Sequence, residues 1–432
     1  MSNKSSPNLI QLIVSFSAPL SSVILMIFGS AFYTTFLSIF LDSSHYSREE
    51  IGWIHSSFYL GMFVGAFQME KLIKRIGHIQ ALAVFGSLAT SATLMQGLYQ
   101  DFIAWTVLRF LFGLSLAALY IVIESWMLHN STVKTRGVIL SLYMISLYAA
   151  QSVSQQLLFI IDIHTSFPFM ISALFTALSV IPVGLSTSRI TLPSVHEKVK
   201  FFKIIKASPF GVSGCLVSGL ILSALYSFFP IFSVSINIPS ENLMSITIAG
   251  GALLQWPIGK LSDYFERQRV LLFVVGIALV LSVLGLIIQG ASIANTLILF
   301  FLAGGLLFTL YPLSITQVCD HLENSHIVTA TSLLLIAYGL GCVLGPIASS
   351  IVIERLGIHA IFLYFAALLG LLGCVGIYVT IRRPIVPLKE QTEFMPLPNM
   401  TPVAYELDPR SEALQDEKCG DSVDSLKLSN FS

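Results

Sequence analysis

Charge is scarce in this chain. Charged residues make up 11% of its 432 amino acids and hydrophobic ones 55%, whereas an ordinary soluble domain carries about 25% charged residues. That shortage excludes a water-solvated globular protein and leaves the lipid bilayer as the environment. An excess of either sign is missing too. The 23 Lys and Arg balance the 23 Asp and Glu, so there is no basic field to hold a nucleic acid. The five cysteines (Cys215, Cys319, Cys342, Cys374 and Cys419) lack the close spacing of a zinc site or a redox pair, so neither metal nor other cofactor is expected. No Gly-x4-Gly-Lys-Ser/Thr loop occurs, so ATP-driven work would need another subunit.

What the chain has instead is long apolar runs. A helix needs about 20 apolar residues to cross the hydrocarbon, and such runs lie near 13–41, 50–70, 79–99, 102–127, 136–160, 166–187, 208–236, 242–262, 270–290, 295–319, 328–351 and 360–381. The expected fold is an all-α membrane protein with twelve transmembrane helices in two six-helix bundles. The first run is too long and too weakly flanked by basic residues to be a cleavable signal. Lys71, Lys74, Arg75, Lys134, Arg136, Arg189, Lys198, Lys200, Lys203, Lys206, Lys260, Arg267, Arg269, Arg382 and Arg383 fall in one set of loops, and only Arg48 and Arg355 in the other. The first set is therefore expected on the cytoplasmic side, with both termini. Five segments are expected: a cytoplasmic N-terminus over 1–12, bundles over 13–187 and 208–383, a linker over 188–207, and a disordered cytoplasmic tail over 384–432, rich in Ser, Pro, Asp and Glu. The basic run of the linker reads equally as an interfacial helix or a solvated connection.

Duplication should leave weak similarity between halves. Placing Gly113 on Gly304 brings Tyr120 onto Tyr311, and Gly65 and Gly259 each precede a short basic loop. The stretch Gly259-Lys260-Leu261-Ser262-Asp263, followed by Arg267 and Arg269, resembles the repeated loop signature of the major facilitator superfamily, Gly-x-Leu-x-Asp-Arg-x-Gly-Arg-Arg. A first copy over Gly65, Met69, Glu70, Arg75 and Gly77 is degenerate, with Met69 in the aspartate place. Arg109 with Gly113 resembles that superfamily's arginine motif, and Gly339, Gly341, Gly345 and Pro346 its glycine-proline stretch. Arg109, Gly113, Glu124-Ser125-Trp126 and Arg136-Gly137 together are similar to the YcaD-like bacterial branch. The resemblance covers roughly residues 10 to 385 and implies alternating access in a bacterial inner membrane, carried out on a small-molecule substrate by a monomer. Proton coupling and facilitated diffusion both stay open. An integral-membrane enzyme is the rival class, with Asp320, His321, Glu323 and His326 as its nearest constellation; a transporter-fold sensor is a third.

Each singled-out residue has an expected task. Gly259 and Asp263, four apart, share a helix face; the missing side chain at Gly259 should admit another helix. By the implied pseudo-symmetry, Asp263 should close a gate on the start of span five beside Arg136. The alternative is a static carboxylate satisfied by Lys260 or Arg267. Glu124 lies about 22 Å along the helix from Arg109 at 1.5 Å per residue; it is expected in a gate network with Arg136 or the basic loop after span two. Arg109, buried, needs an anion, a carbonyl or an aromatic face. Substrate contact and a structural role are both open for it, with Gln151 and Gln155 as partners. Met144, Tyr148, Gln151 and Gln155 lie on one helical face, and amides should avoid lipid. With Tyr33, Tyr120, Tyr226, Gln255, Trp256, Tyr311 and Tyr338 they outline a cavity suited to a neutral or weakly anionic organic solute.

Overall fold

The computed structural model describes residues 9–186, 205–288, 292–322, 327–408 and 410. Twelve long helices dominate them: α1 (Ser17–Ser43), α2 (Arg48–Ile76), α3 (His78–Leu98), α4 (Phe102–His129), α5 (Val133–Ser154), α6 (Phe167–Gly184), α7 (Pro209–Ser235), α8 (Ser240–Tyr264), α9 (Arg267–Leu286), α10 (Ile293–Cys319), α11 (Ile327–Leu356) and α12 (Ala360–Arg382). Each overlies one apolar run of the sequence. Among the described residues, ten helices are long and apolar enough to cross a membrane, and α2 and α8 are the two long helices outside that group. Both carry charge near their ends, and both line the seam between the bundles. Most of the 188–207 linker, including the start of its basic run, lies outside the described residues.

Helix ends follow local chemistry. Ser47 and Glu50 form a capping box at the start of α2, Asp101 accepts the Ala104 N–H at the start of α4, and Ser208 with Pro209 opens α7. The turns α1–α2 and α7–α8 each place a non-glycine residue at positive φ, His45 at 64° and Asn237 at 57°; both belong to the types that tolerate that region. The two halves thus turn the same corner in the same way.

A sharper correspondence comes from close helix approach. A Cβ at Gly61 of α2 would strike the Phe110 carbonyl of α4, and one at Gly113 of α4 would strike the Phe58 carbonyl of α2. In the second half, Gly250 of α8 meets the Phe301 carbonyl of α10 and Gly304 meets that of Thr247. The spacing is identical in the two halves, so the Gly113–Gly304 match in the sequence marks equivalent positions. Small residues let helices pack backbone to backbone where lipid offers no hydrophobic drive. This register also corrects the alignment of the loop signature. Counting from Gly61 and Gly250 brings Gly259 opposite Glu70 and Asp263 opposite Lys74, not opposite Gly65 and Met69. Gly65 instead packs on Leu114 and Ala117 of α4. At the first copy the acidic position holds a cation, and Lys74 pairs with Glu70 at 2.6 Å.

The bundles α1–α6 and α7–α12 meet through α1 with α7, α2 with α11, and α5 with α8. The polar contacts across these seams cluster at the end carrying the 44–47 and 236–239 turns. There Arg48 N donates to Glu354 (2.8 Å), Ser152 and Ser245 exchange hydroxyl–carbonyl bonds (3.0 and 2.8 Å), and Gln156 reaches Ser245 (2.9 Å). At the opposite end the chain itself fills the space. The tail expected to be disordered from 384 is ordered to at least Asp408, with 3-10 turns at Leu388–Glu390 and Pro402–Leu407. The latter turn packs on α4 and α5 of one bundle and on α11 of the other. Leu397, Val403, Tyr405 and Leu407 are buried there, and that burial offsets the entropy of ordering the segment.

The glycine seams predict an asymmetry of substitution. Gly250→Ala should lower the apparent unfolding temperature in detergent, because overpacking typically costs about 1–3 kcal/mol. Gly276→Ala, where an added Cβ meets nothing within 4 Å, should leave it unchanged, and equal midpoints for the two variants would contradict the seam.

Candidate functional site

A cavity of about 160 Å³ lies between the bundles. Tyr120, Met144, Tyr148, Gln151 and Gln155 line it from the first half; Tyr226, Gln255, Tyr311 and Tyr338 line it from the second. The α5 stripe read from the sequence therefore faces inward as expected. Tyr148 stands beside Gln255, and Tyr226 beside Gln151, so in these two pairs a phenol of one bundle meets an amide of the other. The amide oxygen of Gln155 has no partner among the described residues, and its nitrogen donates to the Gln151 carbonyl at 3.0 Å. Phe308 sits edge-on to both Tyr148 and Tyr226, at 6.0 and 5.9 Å between ring centres. No charged side chain lines the cavity among the described residues.

Several expected members are elsewhere. Trp256 is 66% exposed and points outward, because one helical step past Gln255 turns the side chain through about 100°. Tyr33 is buried and donates to Gln96 at 2.6 Å. Arg109 does not line the cavity, and Gln151 and Gln155 are not its partners. It is fully buried, with the rings of Phe58, Tyr33 and Phe112 at 4.6, 5.1 and 5.6 Å from the guanidinium carbon. None of its three guanidinium nitrogens finds a hydrogen-bond partner among the described residues. Aromatic faces are the support it has, a cation–π arrangement that strengthens away from water. Phe58, Tyr59 and Phe63 of α2 do line the cavity. Phe58 and Phe63 carry no polar group that marks them as cavity residues in the sequence, and Tyr59 lies beside them.

Glu124 also departs from expectation. Its carboxylate is wholly buried and accepts from Tyr143 at 2.8 Å and from Thr401 of the tail, in place of Arg136 or the basic loop. Arg136, half-buried, donates to Ser131 at 3.4 Å.

The loop signature forms a buried ionic knot. Arg267 has no exposed surface and donates to both oxygens of Asp320 (2.6 and 2.5 Å), to Asp263 (3.1 Å) and to the carbonyl of Thr392 (2.6 Å). Asp320 also accepts from the backbone and hydroxyl of Thr392, each at 3.0 Å. Asp263 accepts from Phe394 N at 2.8 Å, and Lys260 stands 3.9 Å away. In this conformation Asp263 pairs with Arg267. Gly259 admits no helix; the Phe394 ring fills the place of its side chain. Arg269 is exposed and pairs with Glu266 at 2.7 Å. Arg75 is exposed, and Gly77 ends α2 at φ 92°. Asp320 is thus engaged structurally, while Glu323 and His326 of the enzyme constellation lie outside the described residues.

Two pseudo-equivalent bundles, an interfacial cavity and the signature at the end of α8 specify a transport fold. The sequence profile of the Major Facilitator Superfamily matches residues 20–335 and 241–402. The chain belongs to the Major Facilitator Superfamily. It is 26% identical over 355 residues to the protein named uncharacterized MFS-type transporter YcaD of Escherichia coli O17:K52:H18, spanning 81% of this chain and 91% of that protein. The YcaD protein of Shigella flexneri matches to the same extent. Among solved structures, the nucleoside transporter NupG superposes with a TM-score of 0.68 at 16% identity, over 84% of this chain and 98% of that one. A bacterial homologue of the human lysosomal transporter Spinster, inward-facing and occupied, gives 0.71 at 13% identity, over 90% and 99%.

Breaking the knot leaves a guanidinium without its main counterion, and losing one partner of a buried pair costs about 3–5 kcal/mol. Asp320→Asn should lower unfolding stability by roughly that amount, whereas Glu266→Gln, at the exposed pair, should change it by less than about 1 kcal/mol. Denaturant titration of both proteins checks the contrast, and similar losses for the two would refute it.

Proposed function

We propose that the chain is a secondary or facilitative carrier of the inner membrane, moving a small uncharged organic solute by alternating access. The observation that carries this reading is the cavity: it is built from both bundles and offers phenols, amides and aromatic faces with no lining charge among the described residues. A neutral solute with hydrogen-bonding groups and a planar or apolar face fits such walls, since a few placed polar groups on an apolar lining set orientation. Arg109 lies outside the lining, and that favours a neutral solute over an anionic one. The polar seam contacts gather at one end and the basic loops at the other, which supports a conformation closed outside, with both termini in the cytoplasm. Membership of the superfamily and the YcaD relatives support transport over enzymatic chemistry.

Alternating access also assigns Asp263 a second position. When the cytoplasmic ends of α5 and α8 meet, its carboxylate faces a helix N-terminus carrying partial positive charge, beside Arg136. The static pairing with Arg267 then belongs to one half of the cycle.

The test is a ligand-stabilisation screen of purified protein across nucleosides, sugars, amino acids, carboxylates and aromatic drugs, followed by uptake of any stabilising solute into proteoliposomes. Gln151→Leu and Gln255→Leu should each weaken binding of that solute about tenfold, the worth of about one hydrogen bond in a buried site. Unaltered affinity in both variants would remove the cavity from the proposal. Uptake with and without an imposed pH gradient separates proton coupling from facilitated diffusion.

A further inference from the structure

The segment after α12 makes the contacts of a ligand. We infer that residues 391–408 are an intramolecular plug that occupies the cytoplasmic half of the solute pathway and arrests the carrier closed on the outside. The inference rests on the alternating-access reading above.

Five residues anchor the segment. Thr392 is clasped by Arg267 and Asp320. Phe394 donates to Asp263 and lays its ring on Gly259. Asn399 donates to Tyr338 within the cavity, beside Leu397 and Met400, which form part of its wall. Thr401 and Tyr405 then reach Glu124 and Tyr311 on opposite bundles. Beyond them Asp408 is fully buried and receives Arg410 at 2.6 Å. Burial alone would depress the Arg410 pKa, but Asp408 outweighs it and the net shift is upward, so the guanidinium stays charged.

The contacts have a mechanical consequence. To open outward, the cytoplasmic ends of the bundles must come together, but the turn Pro402–Leu407 stands between α4, α5 and α11. Asp263 and Gly259, the positions through which α8 would engage α5, are occupied by Phe394. Solute and Leu397–Met400 also compete for the same walls. A ligand that binds one state alone shifts the equilibrium toward that state, and a tethered one does so at high effective concentration.

The experiment reads conformation, so it needs no knowledge of the solute. Spin labels at Ser44→Cys and Ser235→Cys, in a Cys374→Ser and Cys419→Ser background, report the separation of α1 and α7 at the outer end. The full chain should show one short-distance population. A chain stopped after Pro387, and the full-length triple variant Phe394→Ala, Thr401→Val, Tyr405→Ala, should both gain a longer-distance population, and excess synthetic peptide of residues 391–410 should reverse the gain in the truncated chain. Distances identical to the full chain in both variants, with helical content intact, would overturn the plug. Longer distances in variants that move no solute would uphold the plug and remove the carrier reading. Equal uptake with and without the tail would do the opposite.

Discussion

Arg267 stands where α8, α9, α10 and the returning tail converge, and a guanidinium without solvent contact is costly unless protein groups replace the lost water. It finds two carboxylates and a backbone carbonyl, and the arrangement at that end follows from this demand. Asp320 fixes the end of α10, Asp263 the end of α8, and Thr392 the path of the tail. Each acceptor comes from a different stretch of chain, so one charge ties four elements together. The same charge on the surface would be worth little.

The cavity shows the opposite treatment of polarity. Its groups are neutral, few, and spread over both bundles, so neither half makes a site alone. Tyr148 with Gln255 and Tyr226 with Gln151 sit across the divide. Relative movement of the bundles would separate these pairs and change what a solute meets on each side. Arg109 is held among rings and stays outside the lining.

The twelve helices were legible in the sequence because span length is imposed by the bilayer and interrupted by short polar turns. The α5 stripe was legible for a similar reason, since amides at helical spacing have only one tolerable direction. Trp256 failed that logic: an aromatic is at home in lipid, so its place beside Gln255 carried no directional information. The tail was misread because its Ser, Pro and acidic content outweighed Phe394, Leu397, Val403, Tyr405 and Leu407, whose irregular spacing matches no helix or strand. Those apolar residues in a polar stretch were the available signal. The first copy of the loop signature was set in the wrong register because Gly65 offered a glycine near the right place. Only the carbonyl contacts of Gly61 and Gly250 show which residues are equivalent.

Those same glycine contacts bear on how the molecule deforms. With backbone resting on backbone, α2 with α4 and α8 with α10 form two stiff struts that have no side chains to compress between them. Flexing within a bundle would have to break such seams, whereas the joints between bundles combine one close glycine approach, Gly52 of α2 on α11, with isolated polar bonds such as Ser152 with Ser245. In an alternating-access cycle each half would then turn as one piece.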